Sequence, residues 1–332
     1  MTWDVATADS EWLVNLVHEA ERNGAIVGGQ EGRTQVVKIS EHVMVKYGGL
    51  VRISEAATQD FAYRTVDPSV VHVPRVYRFI EARDSLYPKG YLFMEYISGQ
   101  NLKEVDLEAR KDLFPRIAKI AEHLGQIRGG NMPPGPVGGG EPDGYLYGDD
   151  GAKTVFNSVE DMNTYMNKRL ALRNDSIDLA PYPLVLCHLD FYRRSMILED
   201  DGVSLCLVDW GYAGFYPRFF EVAMIPCVLP YDASYEKPVM QEIEKLLCLT
   251  DEENRLVKLI RCVRAANLRW SFDERPPFDF AAWMASIEEE KLNPSKESRP
   301  ETPRISFEST LYGDAKRPED PCNTNGMKGP LA

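Results

Sequence analysis

Short β-like runs crowd into the first part of this chain, and helical periodicity takes over after Gly99. Residues 25–27, 35–39 and 42–47 are β-like, with Ser40-Glu41 reading as a hairpin turn, and 73–79 and 91–96 follow the same pattern. One helix, 54–66 with Ser54 as its N-cap, is embedded among them. An amphipathic helix precedes the strands, with Trp12, Leu13, Leu16, Val17 and Ala20 at three- and four-residue spacings. Beyond Gly99, residues 107–128 put Leu113, Ile117, Ile120, Ala121, Leu124 and Ile127 on one face of a long core helix. A Gly- and Pro-rich loop at 129–147 and a helix at 158–172 come next. Three short strands at 184–189, 195–199 and 205–209 surround a dense polar cluster, and 218 to about 291 reads as helical. These patterns predict an α+β protein of two lobes. An antiparallel-sheet N-lobe would span 1–97 and a larger, mainly helical C-lobe 98–292. Residues 293–332 hold six prolines and no periodicity, which predicts a disordered tail.

Charge narrows the partners. Thirty-eight basic residues against 51 acidic ones give −13, which opposes nucleic-acid binding. No apolar run approaches the ~18 residues of a membrane span, and the best candidate, 222–230, is broken by Pro226. The start carries Asp4, Asp9 and Glu11 and lacks the basic region of a secretory signal. Cysteines 187, 206, 227, 248, 262 and 322 stand far apart with no C-x-x-C pair, as expected of reduced thiols. A cytoplasmic protein without membrane or nucleic-acid partners is the expectation, its oligomeric state unknown.

The informative segment runs from Cys187 through His188, Asp190, Arg194 and Ser195 to Asp209-Trp210. Asp190 and Asp209 each follow an apolar β run, with a hairpin-sized connection between them. Carboxylates at strand ends offer oxygens to a divalent metal or a base to a hydroxyl. The same residues would also serve as a structural turn and a helix cap, and spacing alone leaves both open.

This segment resembles the aminoglycoside phosphotransferase and choline-kinase-like family, which carries H-x-D-x-x-x-x-N, a hydrophobic strand and D-W. It is similar above all to a fungal branch. Val45-Lys46-Tyr47-Gly48, Glu55-Ala56, Val73-Pro74-Arg75-Val76-Tyr77, Met94-Glu95-Tyr96-Ile97-Ser98-Gly99 and Asp209-Trp210 through Pro217 occur in that branch's order. The resemblance implies a bilobal protein-kinase-like fold and an ATP- and Mg²⁺-dependent transferase acting on a hydroxyl of a small-molecule acceptor. It implies that Lys46 reaches the α/β-phosphates and pairs with Glu55, with Asp60 as the rival partner. Backbone groups of Met94, Glu95 and Tyr96 would form the hinge that holds adenine. Asp190 would accept or orient the acceptor proton, Asp209 would hold magnesium, and His188 would support the catalytic loop more than react.

The chain also departs from that pattern. Ser195 stands where the family has the Asn that holds a second magnesium site, and its hydroxyl would be a shorter metal ligand. Gly211 stands where this branch often has Glu. Gly28 to Thr34 is not a Walker A motif, although a glycine turn there would let backbone N–H groups approach phosphates. The loss of Asn makes a catalytically impaired pseudokinase, a nucleotide-binding scaffold, the alternative. A protein kinase is disfavoured, because Trp-Gly-Tyr and not Phe-Gly follows Asp209. Trp270, Phe278, Phe280 and Trp283 would line the acceptor pocket or the core.

Overall fold

The computed structural model describes residues 4–29, 34–82, 88–228, 231–272 and 274. Helix α1, Ser10–Arg22, begins where the Asp9 carboxylate accepts the Trp12 N–H at 2.9 Å. Its buried face, Leu13, Val14 and Val17, packs on one side of a five-stranded sheet. The strands are β1 (Ile26–Gly29), β2 (Thr34–Lys38), β3 (Val43–Gly48), β4 (Val76–Ala82) and β5 (Lys89–Glu95), in the order β1-β2-β3-β5-β4 and all antiparallel. Strand side chains alternate between faces. Val43, Val45 and Tyr47 therefore join the α1 cluster, while Met44 packs with Leu92, Met94 and Ala56 on the face of α2. Lys46 shares that second face by register.

Helix α2 spans Ile53–Thr65, so it starts before the expected Ser54. Its N-cap is Arg52, extended and without a side-chain bond. Packing sets this entry: Val51 is buried over the sheet, and a Cβ on Gly90 of β5 would sit 2.0 Å from the Val51 carbonyl oxygen. Tertiary contact, not a hydroxyl cap, decides where the helix begins.

Beyond the sheet, β6 (Gly99–Asn101), β8 (Met196–Glu199) and β9 (Leu205–Leu207) form a three-stranded sheet in the order β6-β8-β9. Strand β7 (Leu184–Cys187) pairs with β10 (Gly214–Pro217), which the sequence reading missed. Helix α3, Leu113–Leu124, is shorter than the expected 107–128. Asp106 accepts the Glu108 N–H, and Arg110 pairs with Asp112, so local side-chain bonds compete with a first turn there. Helix α4 (Val159–Leu170) starts at Ser158, which caps the Asp161 N–H. Helices α5 (Phe219–Met224), α6 (Ala233–Leu247) and α7 (Asp251–Arg269) complete the larger part, α7 opening on a Thr250/Glu253 capping box. No helix among the described residues is long and apolar enough to cross a membrane. Cys187, Cys206 and Cys227 are buried free thiols, Cys248 is exposed and Cys262 half-buried. The expected tail, Cys322, Phe278, Phe280, Trp283 and most of the 28–34 glycine turn lie outside the described residues.

Candidate active site

Strands β7 and β9, which lie in different sheets, each lead into a turn, and the two turns carry Asp190 and Asp209. Each turn bends through left-handed backbone at a residue with a Cβ, Leu189 at φ 62° and Asp209 at φ 68°. Such conformations are strained and persist only where their surroundings hold them. Glu221 of α5 holds the first. Its buried carboxylate accepts the N–H groups of His188 at 2.7 Å and Leu189 at 2.8 Å. Burial pushes the Glu221 carboxyl up to about 8, and those two donors oppose the shift. Sequence reasoning did not single it out. Its only signal was one acidic residue inside the apolar run Phe219 to Ile225.

His188 ties the two turns together. Its ring is fully buried, with Nε2 donating to the Val208 carbonyl at 3.1 Å and Nδ1 accepting the Asp190 N–H at 3.3 Å. Burial lowers its pKa to about 4, so it is neutral near pH 7. It meets Trp210 edge-on at 4.8 Å between ring centroids. With both nitrogens engaged and no exposed surface, His188 is a positioning residue.

The Asp190 carboxylate is 2% exposed. Arg194 Nη2 lies 2.9 Å from its Oδ1 and 3.1 Å from its Oδ2, and the Tyr145 hydroxyl donates to Oδ1 at 3.3 Å. Burial pushes the Asp190 pKa up, while the charge of Arg194 pulls against it. Ser195 differs from expectation. It is fully buried, and its hydroxyl donates to Asp190 Oδ2 at 2.6 Å. The short side chain orients the neighbouring carboxylate instead of presenting an open ligand.

Across the cleft, Lys46 Nζ lies 2.5 Å from Glu55 Oε1 and 2.7 Å from Asp209 Oδ1. Burial would lower the Lys46 pKa, but the two carboxylates outweigh it and the net shift is upward. Glu55 is buried, which raises its own pKa against the pull of Lys46. Asp60, the rival partner, pairs instead with Arg64 one turn later at 2.9 Å. The Asp209 side chain is 46% exposed. Its Oδ2 has no hydrogen-bond partner among the described residues. A Cβ on Gly211 would come within 3.3 Å of Glu55 Oε2, so the glycine leaves room for this carboxylate pair.

The strand-end segment is only partly available to a ligand. The Glu95 N–H donates to Arg75 O at 2.9 Å and the Tyr96 N–H to His42 O at 3.0 Å, so neither amide is open. Ile97, one residue on, has an N–H with no protein acceptor among the described residues. Among those residues no three His, Cys, Asp or Glu side chains gather as a metal site. Oxygen donors for a hard cation therefore centre on Asp209. In the larger part of the fold, a cavity of about 250 Å³ is lined by Tyr147, Asp149, Asp150, Arg169, Trp270 and Glu274, among others.

A family model described as "Phosphotransferase enzyme family" matches residues 31–241. Among solved structures, the apo form of a thermostable mutant of aminoglycoside phosphotransferase APH(4)-Ia is similar at 14% identity and a TM-score of 0.50. That match covers 75% of this chain and 88% of the other. The GDP complex of wild-type aminoglycoside 2'-phosphotransferase-IIIa matches at 12% identity and a TM-score of 0.44, covering 78% and 90%. No curated protein matches the chain. At such identity the first likeness speaks for the fold, a small antiparallel-sheet lobe joined to a larger helical one.

Proposed function

The chain belongs to the phosphotransferase enzyme family, and on that premise we propose that it transfers the γ-phosphoryl group of ATP to the hydroxyl of a small molecule. One observation carries the reading. A continuous polar chain, Glu55–Lys46–Asp209, links the sheet and α2 to the turn beside a second, buried aspartate, Asp190. That is what phosphoryl transfer asks of a site: positioning and electrostatics, with little covalent work for the protein.

Lys46, fixed by Glu55, holds the phosphates of ATP. Adenine lies against the segment from Met94 to Ile97, where the Ile97 N–H and strand-end carbonyls supply its hydrogen bonds. The residues fit one magnesium ion, because Asp209 offers an exposed carboxylate with a free oxygen. When bound, magnesium would supply positive charge that offsets the negative charge of the phosphates. Asp190 orients the acceptor hydroxyl and takes its proton, while His188, Ser195 and Glu221 keep its turn in place. The nucleotide lobe corresponds to residues 1–97 and the acceptor-binding lobe to 98–292, in a protein of the cytoplasm. The cavity of mixed charge beside Trp270 is the space proposed for the acceptor.

An ADP-release assay over amines, sugars and amino-alcohols tests the reading, with Asp190→Asn as control. We expect acceptor-dependent release that falls about 10²–10⁴-fold in the variant, with nucleotide binding retained. ADP release that no acceptor stimulates, or an Asp190→Asn protein with full turnover, would sink it.

A further inference from the structure

We propose that Arg194 is a catalytic residue that places its guanidinium on the transferring phosphoryl group, supplying the positive charge that a second divalent cation would otherwise bring. This inference rests on the kinase reading above. Its basis is the arrangement around Asp190.

Arg194 sits four residues after Asp190, and its side chain is 35% exposed. Among the described residues only Nη2 is engaged, with Asp190 and the Tyr145 hydroxyl. Nε and Nη1 have no acceptor among the described residues. A guanidinium has five N–H donors in a fixed fork, so the part turned away from Asp190 remains a ready clamp for phosphate oxygens. The group is also held in place. It lies 5.0 Å over the Tyr192 ring and 5.9 Å from the Tyr145 ring centroid, and its own backbone carbonyl accepts from Asn101 Nδ2 at 2.8 Å.

The metal-binding capacity of the site points the same way. Asp209 has an open carboxylate oxygen, but Asp190 is engaged by Arg194, Ser195 and Tyr145. The Ser195 hydroxyl is turned into that same network. The donor set therefore fits one cation and not two. Negative charge on the transferring group still needs a partner on the Asp190 side, and Arg194 is the cation there.

In the step itself, the acceptor oxygen forms its bond to the γ-phosphorus as the bond from that phosphorus to the β–γ bridging oxygen breaks. ADP leaves with the electron pair, and the acceptor proton passes to the Asp190 carboxylate. Arg194 contacts the equatorial oxygens throughout. As it leans toward them, its hold on Asp190 loosens and the carboxylate becomes a better proton acceptor.

The test compares equilibrium binding of AMP-PNP and ADP, each with saturating Mg²⁺, in wild type, Arg194→Ala and Arg194→Lys, with Mn²⁺ counted by electron paramagnetic resonance. We expect one Mn²⁺ per wild-type AMP-PNP complex. Arg194→Ala should weaken AMP-PNP about 10–100-fold, as charge-assisted hydrogen bonds are lost, and leave ADP affinity unchanged. Turnover should fall about 10³-fold or more. Arg194→Lys, which keeps charge and loses the fork, should fall between wild type and Ala in AMP-PNP affinity, and it carries the test if the Ala variant does not fold. Equal losses for both nucleotides, no loss for either, or two Mn²⁺ in the wild-type complex would overturn the role of Arg194 and leave the kinase reading standing. Wild-type protein that binds neither nucleotide would overturn both.

Discussion

Glu221 and Glu55 are both buried glutamates on helices beside the candidate site, and their partners set their roles. Glu221 meets two backbone N–H groups, so it acts on chain conformation. Glu221→Gln keeps one acceptor oxygen and turns an amide N–H₂ toward the other donor. The expected cost is about 1–3 kcal/mol, with turnover falling while nucleotide affinity holds; urea unfolding and ADP release measure the two. A variant with wild-type stability and turnover would show that the Leu189 conformation needs no anchor. Glu55 meets Lys46 and acts on charge. Lys46→Met leaves its carboxyl buried without a cation, so its already raised pKa moves further up. An acid whose folded pKa is raised keeps its proton to a higher pH in the folded state, and its stability contribution falls as pH rises from the unfolded value toward the folded one. Lys46→Met should therefore lose stability more steeply than wild type as pH rises above the unfolded carboxyl value of 4.5. Thermal melts from that value upward give the slope, and parallel profiles would contradict it. Nucleotide affinity should fall in the same variant, because the phosphate-facing cation is gone.

Among the elements, the glycine-rich loop that follows α3 is anchored by a strand it barely resembles. Gly135 and Phe215 of β10 exchange N–H to carbonyl bonds at 3.1 and 2.8 Å. The approach is so close that a Cβ on Gly214 would sit 2.3 Å from the Gly135 carbonyl oxygen. From this anchor the loop runs on to Tyr145, whose hydroxyl meets Asp190 and Arg194. Gly214→Ala should cost about 1–3 kcal/mol through overpacking against backbone and lower turnover by displacing Tyr145. Gly49→Ala is the control, since nothing lies within 4 Å of a Cβ there and its backbone is not left-handed. Equal unfolding midpoints for the two variants would show that loop and strand part freely.

For the whole molecule, His72 links the five-stranded sheet to the three-stranded one. Its Nδ1 lies 3.0 Å from Glu199 at the end of β8, and its Nε2 lies 3.3 Å from Glu95 at the end of β5. Its backbone also pairs with Leu205 and Leu207. The hydrogen bond to Glu95 raises the His72 pKa, with Glu199 adding to it. Glu95 is pushed up by burial but pulled below its ordinary value by His72 and the Arg75 N–H. A raised histidine contributes stability that is complete below its unfolded pKa of 6.5 and lost as pH rises through the folded value. A depressed glutamate contributes above its unfolded value of 4.5 and loses it as pH falls through the folded one. The clasp is therefore strongest between those two values. Wild type should gain in Tm from about pH 8 to about pH 6, and His72→Gln should remove that gain. A variant that keeps the full gain would assign it to other groups.

What the sequence determined by itself was local or ordered along the chain. The alternation of Val43, Val45 and Tyr47 with Met44 and Lys46 is written in β3, and the helical repeat of α1 named Leu13 and Val17 of its buried face, although it also named the exposed Trp12 and left out the buried Val14. The α+β division followed, because helix and strand periods are written within a few residues. Motif order brought Lys46, Glu55, Asp190 and Asp209 to notice, and geometry gathered them. The tertiary structure alone decided the entry of α2 at Ile53, the start of α3 at Leu113 and the existence of β10. It also decided that Ser195 faces Asp190, that Glu221 holds the His188 turn, and that the amides of Glu95 and Tyr96 are engaged while that of Ile97 has no acceptor among the described residues. Each of these depends on a partner brought close only by folding or on the competition between two partners for one group. Burial and pairing set that outcome by free energies of contact between segments that no window along the chain contains.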